Sequence, residues 1–286
     1  MRLKNYMPGR KVNAVNPLII EGARQVGKTW LMKEFGSKAY RNTIYINFDS
    51  NSRMSDSFAD DLDIDRLIAG LELYTGRRIE AENTLLIFDE LQEVPCALSS
   101  LKYFYENAPE YHILCAGSLL GISMPGGTSF PVGKVYFLKL YPMSFREFLM
   151  AIDKARFAER LDSQDYDLIT SFKSNYIDWL KQYYFVGGMP EAVLSFSENG
   201  DFHEAREIQK NILAAYEQDF SKHASYDIVP KIRMIWNSVV SQLAQEIKKF
   251  IYGLVREGAR AKEYETAIMW LSDCGLVHKV SRVNAG

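Results

Sequence analysis

The chain has 286 residues, 47% of them hydrophobic and 24% charged, with a net charge of −2. That composition is ordinary for a soluble globular protein, fills one large core or two modest ones, and carries no general signal for a polyanion partner. No apolar run reaches the roughly 18–20 residues of a membrane span, and the N-terminus lacks a signal-peptide segment. Three cysteines without a C-x-x-C and four histidines without ligand spacing argue against a disulfide framework or a zinc site, and a reducing, cytoplasmic setting is the simplest fit.

Taken in order, the first element is the apolar run Leu18-Ile19-Ile20, a strand over residues 18–21. It runs into Gly22-Ala23-Arg24-Gln25-Val26-Gly27-Lys28-Thr29, a complete G-x-x-x-x-G-K-T loop, and then into a helix-like segment from Trp30 to Phe35. Strand, loop and helix in that order are the context the motif requires. Its glycines let successive N–H groups turn towards phosphate oxygens, and the new helix adds its positive end. Lys28 is placed for the β- and γ-phosphates and the Thr29 hydroxyl for Mg²⁺. The alternative is a chance Gly-rich turn before a helix.

A second strand is expected over residues 43–48, a helix over 66–74, and a third strand over Thr84–Asp89, whose run Leu85-Leu86-Ile87-Phe88 is that of a strand buried on both faces. Asp89 at its carboxyl end can accept the Mg²⁺ or its water shell, and Glu90 can orient an attacking water or take its proton. Alone, the pair also suits an acidic helix start; together with the phosphate loop it points to a nucleoside triphosphate site. Another helix is expected over 98–107 and strands over 111–117 and 135–138, which makes the N-terminal half an α/β fold, a P-loop NTPase parallel sheet with flanking helices. The fourth strand ends Ala116-Gly117-Ser118. In additional-strand P-loop ATPases a polar residue there contacts the γ-phosphate or the attacking water, so Ser118 is the candidate; a capping role is the alternative. Residues 124–134 hold two Pro and three Gly and read as a mobile loop. There is no N-K-x-D or T-K-x-D for guanine and no L-S-G-G-Q of a transporter cassette, which favours ATP.

Beyond residue 141 the pattern turns helical. Phe145-Arg146-Glu147-Phe148-Leu149 opens a helix, aromatics recur at helical spacing over 176–184, and Gly187-Gly188 makes a tight turn, or a hinge, before Pro190 at the first position of the next helix. From Pro230 onward a helix towards Ala244, the segment Lys248-Lys249-Phe250-Ile251-Tyr252, a polar break at Glu257-Gly258, a helix over 261–272 and an alternating Leu276-Val277-His278-Lys279-Val280 strand, read as three helices and a strand, suggest a winged-helix-like module. Residues 221–286 carry ten Lys and Arg against six Asp and Glu, and Arg256, Arg260 and Lys262 are placed to meet duplex DNA phosphates; a charged face on a protein-binding module is the alternative. The expected domains are a P-loop ATPase domain over 1–141, a helical region over 142–229 and the winged-helix-like module over 230–286.

These motifs together resemble the bacterial and archaeal AAA-type P-loop ATPases (AAA_14) whose ATPase domain is followed by DUF4143. The resemblance lies in G-A-R-Q-V-G-K-T from Gly22, L-I-F-D-E-L-Q from Leu86, A-G-S-L-L-G from Ala116, Y-P-M-S-F-R-E-F-L from Tyr141 and G-G-M-P-E from Gly187. It implies an ATP-binding, Mg²⁺-dependent ATPase, with oligomers and a DNA or protein partner for the C-terminal module as further expectations. Arg146, with Arg24 as another candidate, would be the arginine finger. The alternative function is a nucleotide-gated switch or DNA-binding regulator with slow hydrolysis, and a small-molecule kinase is a third reading. Three departures stand out. The family usually continues into a further α/β region, whereas this chain stops at Gly286 and reads as truncated, and the stretch before Pro17 is short for an adenine pocket. Gly133-Lys134 replaces the usual Gly-Arg, and Lys does not reproduce a bidentate Arg.

Overall fold

The computed structural model describes residues 16–50, 58, 62–117, 133–246 and 249–280. Ser118, most of the 124–134 loop and Lys248 therefore lie outside the described residues. The described chain falls into two compact units. One holds residues up to Ala23, Gly27–Leu140 and Ser272 onward; the other holds Arg24–Val26 and Tyr141–Leu271.

The first unit is built on five parallel strands: β1 (Leu18–Glu21), β2 (Asn42–Asn47), β3 (Thr84–Asp89), β4 (His112–Gly117) and β5 (Tyr136–Lys139). Their order is β2-β3-β4-β1-β5, so β4 lies between the strand feeding the phosphate loop and the strand ending at Asp89. All six positions of β3 and of β4 are buried, as continuous apolar runs in a sheet covered on both faces require. The edge strand β5 alternates between half-buried and exposed positions.

Side-chain parity sorts the core. Ile19, Ile44, Ile46, Leu86, Phe88, Ile113 and Cys115 face one layer, packed with Leu67 and Leu71 of α2 (Ile64–Thr75) and Leu98, Leu101 and Phe104 of α3 (Pro95–Asn107). Leu18, Ile20, Leu85, Ile87, Leu114 and Ala116 face the other, packed with Met32 of α1 (Lys28–Ala39). Each such fully buried Leu, Ile or Phe contributes about 1.5–3 kcal/mol, which makes the sheet the rigid part of this unit. Local signals agree with the packing. The Asp63 carboxylate accepts the Arg66 N–H at 3.0 Å to start α2, and Gly76, at φ 65°, ends it.

The second unit is helical: α4 (Phe145–Ala151), α5 (Ala155–Ser163), α6 (Tyr166–Ser171), α7 (Lys173–Val186), α8 (Pro190–Asn199), α9 (Phe202–His223), α10 (Val229–Leu243) and, running two residues past it, α11 (Ala261–Asp273). Ser144 and Glu147 form a capping box at the start of α4. Phe148, Val186, Ala192, Val193, Phe196 and Ala205 make one core. Farther along, Phe220 sets its ring edge-on to both Trp236 and Trp270, at 5.5 and 5.6 Å, tying α9 to α10 and α11. The Arg24 guanidinium pairs with Asp219 of α9, and the Tyr216 hydroxyl donates to the Arg24 carbonyl at 2.7 Å.

One expectation fails. Leu276 to Val280 alternates apolar and polar residues, yet it forms no strand. Val280 is 90% exposed, and among the described residues no neighbouring strand pairs with this stretch; alternation without a partner does not make a sheet. The winged-helix reading thus lacks its strand among the described residues.

Two glycines generate predictions. The Met143 N–H donates to the Gly188 carbonyl at 2.6 Å, and a Cβ on Gly188 would lie 2.2 Å from the Met143 carbonyl oxygen. Backbone cannot rotate away, so Gly188→Ala is expected to cost about 3 kcal/mol in urea unfolding. An unchanged midpoint would instead mean that the turn opens freely, as a hinge would. On α1, a Cβ at Gly36 would meet Thr43 Oγ1 at 2.6 Å and Cγ2 at 2.9 Å. Gly36→Ala should gain about 0.5–1 kcal/mol of helix propensity and lose more to overpacking, a net loss of about 1 kcal/mol in the same assay. The loss should disappear when the substitution is made on a Thr43→Ala background.

Candidate functional site

The site lies at the carboxyl ends of β1 and β3, the edge where open α/β sheets present their ligand-binding groups. The turn from β1 into α1 needs left-handed backbone at three places: Gly22 (φ 148°), Gln25 (φ 64°) and Gly27 (φ 91°). Glycine supplies two of them without strain. Left-handed and right-handed residues in succession form the concave backbone nest that binds anions. Gly27 has no side chain with which to cap α1, and the helix has no acidic residue in its first turn. Its first N–H groups therefore have no carboxylate competing with an anion.

Lys28 is buried, and its Nζ donates to the carbonyls of Gly22 and Ala23, at 2.8 Å each. The ammonium is thus folded back over the loop's own backbone. Thr29, in the first turn of α1, donates its hydroxyl to Asp89 Oδ2 at 2.6 Å. This bond brings the two sequence motifs together. Asp89, only 3% exposed, also accepts the Tyr45 hydroxyl on Oδ2 at 2.9 Å and the Glu90 N–H on Oδ1 at 3.1 Å. A hydroxyl and a carboxylate are the hard oxygen donors that suit Mg²⁺.

Glu90 has left-handed backbone, φ 53°, uncommon for a residue with a Cβ and concentrated at functional sites. Its carboxylate accepts the Gln92 side-chain N–H at 2.6 Å, while Gln92 Oε1 is buried with no hydrogen-bond donor among the described residues. An orphaned acceptor beside a carboxylate is a place for a donor such as water. The phosphate loop, the Thr29–Asp89 pair and this acceptor together fit a magnesium-bound nucleotide.

The electrostatics follow from Asp89. Burial and then the Asp89 charge push the Tyr45 phenol up to about 12, so it is a neutral donor near pH 7. Burial, again with Asp89, pushes the Cys115 thiol up, leaving that cysteine inert.

Of the residues expected from sequence, Lys28, Thr29, Asp89 and Glu90 come together. Ser118 is outside the described residues. Arg146 belongs to the helical unit, where its Nε donates to both carboxylate oxygens of Asp162 at 2.7 Å; Arg24 is engaged by Asp219. Sequence reasoning gave no role to Tyr45 or Gln92. Gln92 carried a signal, its place two residues after Glu90, but Tyr45 needed the register of β2 on β3.

Residues 15–149 match the family model described as an AAA domain (AAA_14). Residues 177–286 match a domain of unknown function, DUF8612; the resemblance to DUF4143 is therefore replaced by a match to a different model. No curated protein matches the chain. Among solved structures, the Walker-type ATPase PABY2304 of Pyrococcus abyssi is similar in fold, with a TM-score of 0.52 and 15% identity over 91% of this chain and 85% of that one. The RuvB Holliday junction branch migration motor of Thermotoga maritima superposes more loosely, with a TM-score of 0.40 and 12% identity over 93% and 83% of the two chains. Among the described residues, no helix is long and apolar enough to cross a membrane. The N-terminal part of this chain has an α/β fold and is similar over residues 15–149 to AAA domains, and a helical region continues it.

Proposed function

We propose that the chain binds ATP with Mg²⁺ and hydrolyses it. The observation that carries this reading is the 2.6 Å bond from Thr29 to Asp89, which joins the phosphate loop to the acidic strand end with Lys28 on one side and Glu90 on the other. The loop from Gly22 to Thr29, through its N–H groups and Lys28, would hold the triphosphate, and Thr29 and Asp89 would hold the metal. When bound, the metal supplies charge neutralisation for the phosphate oxygens. Lys28 would exchange its two backbone carbonyls for phosphate oxygens, a gain because an ammonium is attracted more strongly to an anionic oxygen than to a neutral one. Glu90 is the base that orients a water and accepts its proton, with its carboxylate held by Gln92. Ser118 is proposed as the γ-phosphate contact and Arg146 as a finger supplied when its bond to Asp162 opens. Catalysis of this kind rests on positioning and charge stabilisation.

The test is steady-state hydrolysis of ATP with Mg²⁺, with ATP binding measured in parallel, on the intact chain, Glu90→Gln and Lys28→Ala. Glu90→Gln is expected to keep binding and lose turnover by about 10²-fold or more. Lys28→Ala is expected to lose binding. If the intact chain binds ATP without turning it over, the nucleotide-gated switch replaces the enzyme; if it does not bind ATP, both fail.

A further inference from the structure

An ionised carboxylate offers about four lone-pair positions to donors. On Asp89, Thr29 and Tyr45 both donate to Oδ2, and the Glu90 N–H takes one position on Oδ1. Among the described residues that leaves Oδ1 with a single open position and Oδ2 with none. Tyr45 reaches Asp89 from the adjacent strand. In the β2–β3 register Tyr45 stands opposite Ile87, two residues before Asp89, so the two side chains share one face of the sheet. The ring is fixed independently of its hydroxyl, since it packs against the α1-side core and Lys33 Nζ lies 3.8 Å above its centre.

We propose that Tyr45 is a positioning residue for the metal: its hydroxyl closes Oδ2 of Asp89 and so presents Oδ1 as the oxygen that serves Mg²⁺. This deepens the ATP reading above and rests on it. A carboxylate held only by Thr29 and one backbone N–H could turn about its Cβ–Cγ bond, offering either oxygen. The third donor, on the same oxygen as Thr29, removes that freedom. Tyr45 therefore acts through Asp89, without contact with the nucleotide, and a phenylalanine removes only that bond and the long 3.5 Å one that the hydroxyl accepts from Asn47.

The experiment titrates MgCl₂ into the full-length protein and a fluorescent methylanthraniloyl-labelled ATP. The readouts are the affinity in EDTA and the magnesium concentration that half-saturates the further gain in affinity. Tyr45→Phe is expected to leave the EDTA affinity and the thermal melting temperature close to wild type. It should raise the magnesium midpoint by about 10-fold, the scale on which groups that orient metal ligands act. On an Asp89→Asn background, Tyr45→Phe should produce no further change, because its only route to the metal is gone. A midpoint within twofold of wild type in Tyr45→Phe would overturn the inference, as would an equal shift on both backgrounds. If the wild-type protein binds no labelled ATP in either condition, the ATP reading falls and takes this inference with it; an unchanged midpoint in a protein that does bind removes the Tyr45 role alone.

Discussion

The hydrogen bond from Thr29 to Asp89 is the contact on which the geometry of the site depends, because it joins two strands that are not neighbours. β1 and β3 are separated by β4, about 9.5 Å at the usual strand spacing. Thr29 spans that gap only because α1 lies close against the sheet. Met32 sits among Leu18, Ile20, Leu85 and Ile87, and at Gly36 the absence of a Cβ lets the helix backbone approach Thr43. A helix held farther out would leave the Asp89 charge buried without its shortest bond, and a buried, under-bonded carboxylate is expensive. Apolar packing thus holds the polar contact in place, and the contact in turn makes the phosphate loop and the acidic strand end a single site.

Much of the N-terminal unit was legible in the sequence, and for a physical reason. Strands buried on both faces cannot alternate, so Leu85-Leu86-Ile87-Phe88 reads as an interior strand and Asp89 as its polar end. The phosphate loop reads equally well because its glycines and its lysine are set by local backbone geometry. Tyr45 is different. Nothing within β2 separates it from any other half-buried strand tyrosine; only the register that places Tyr45 opposite Ile87 brings its hydroxyl to Asp89. Non-local pairing carries that information, and a single sequence does not show it. The strand expected at Leu276 to Val280 failed for the mirror reason: its alternation was read correctly, but a strand exists only through a partner.

The motifs in the helical unit that carry the family resemblance prove to be structural punctuation. Within Y-P-M-S-F-R-E-F-L, Ser144 and Glu147 close a capping box at the start of α4. Within G-G-M-P-E, Gly188 allows the backbone of Met143 to approach, and Pro190 opens α8 at a position where its missing N–H costs nothing. Tyr183 completes the corner by donating its hydroxyl to the Met143 carbonyl at 2.8 Å. Such residues specify how helices begin and cross, which explains why they are easy to recognise and why they are silent about what this region binds.

The charges of the site divide along the sheet edge. On the β1 side stand the ammonium of Lys28 and the positive end of α1; on the β3 side stand Asp89 and Glu90, adjacent in sequence, and the charge of Asp89 adds to burial in raising both Tyr45 and Cys115. Two adjacent carboxylates concentrate negative charge at that strand end. A polyanion alone would suit the first half and be repelled by the second, and a bare divalent cation would meet the reverse. A polyphosphate carrying its own metal, the ligand proposed above, would satisfy both at once. The neutral donors on Asp89, two hydroxyls and an amide, keep that carboxylate in place without cancelling its charge. They order the acidic half of the site while leaving it attractive to a cation.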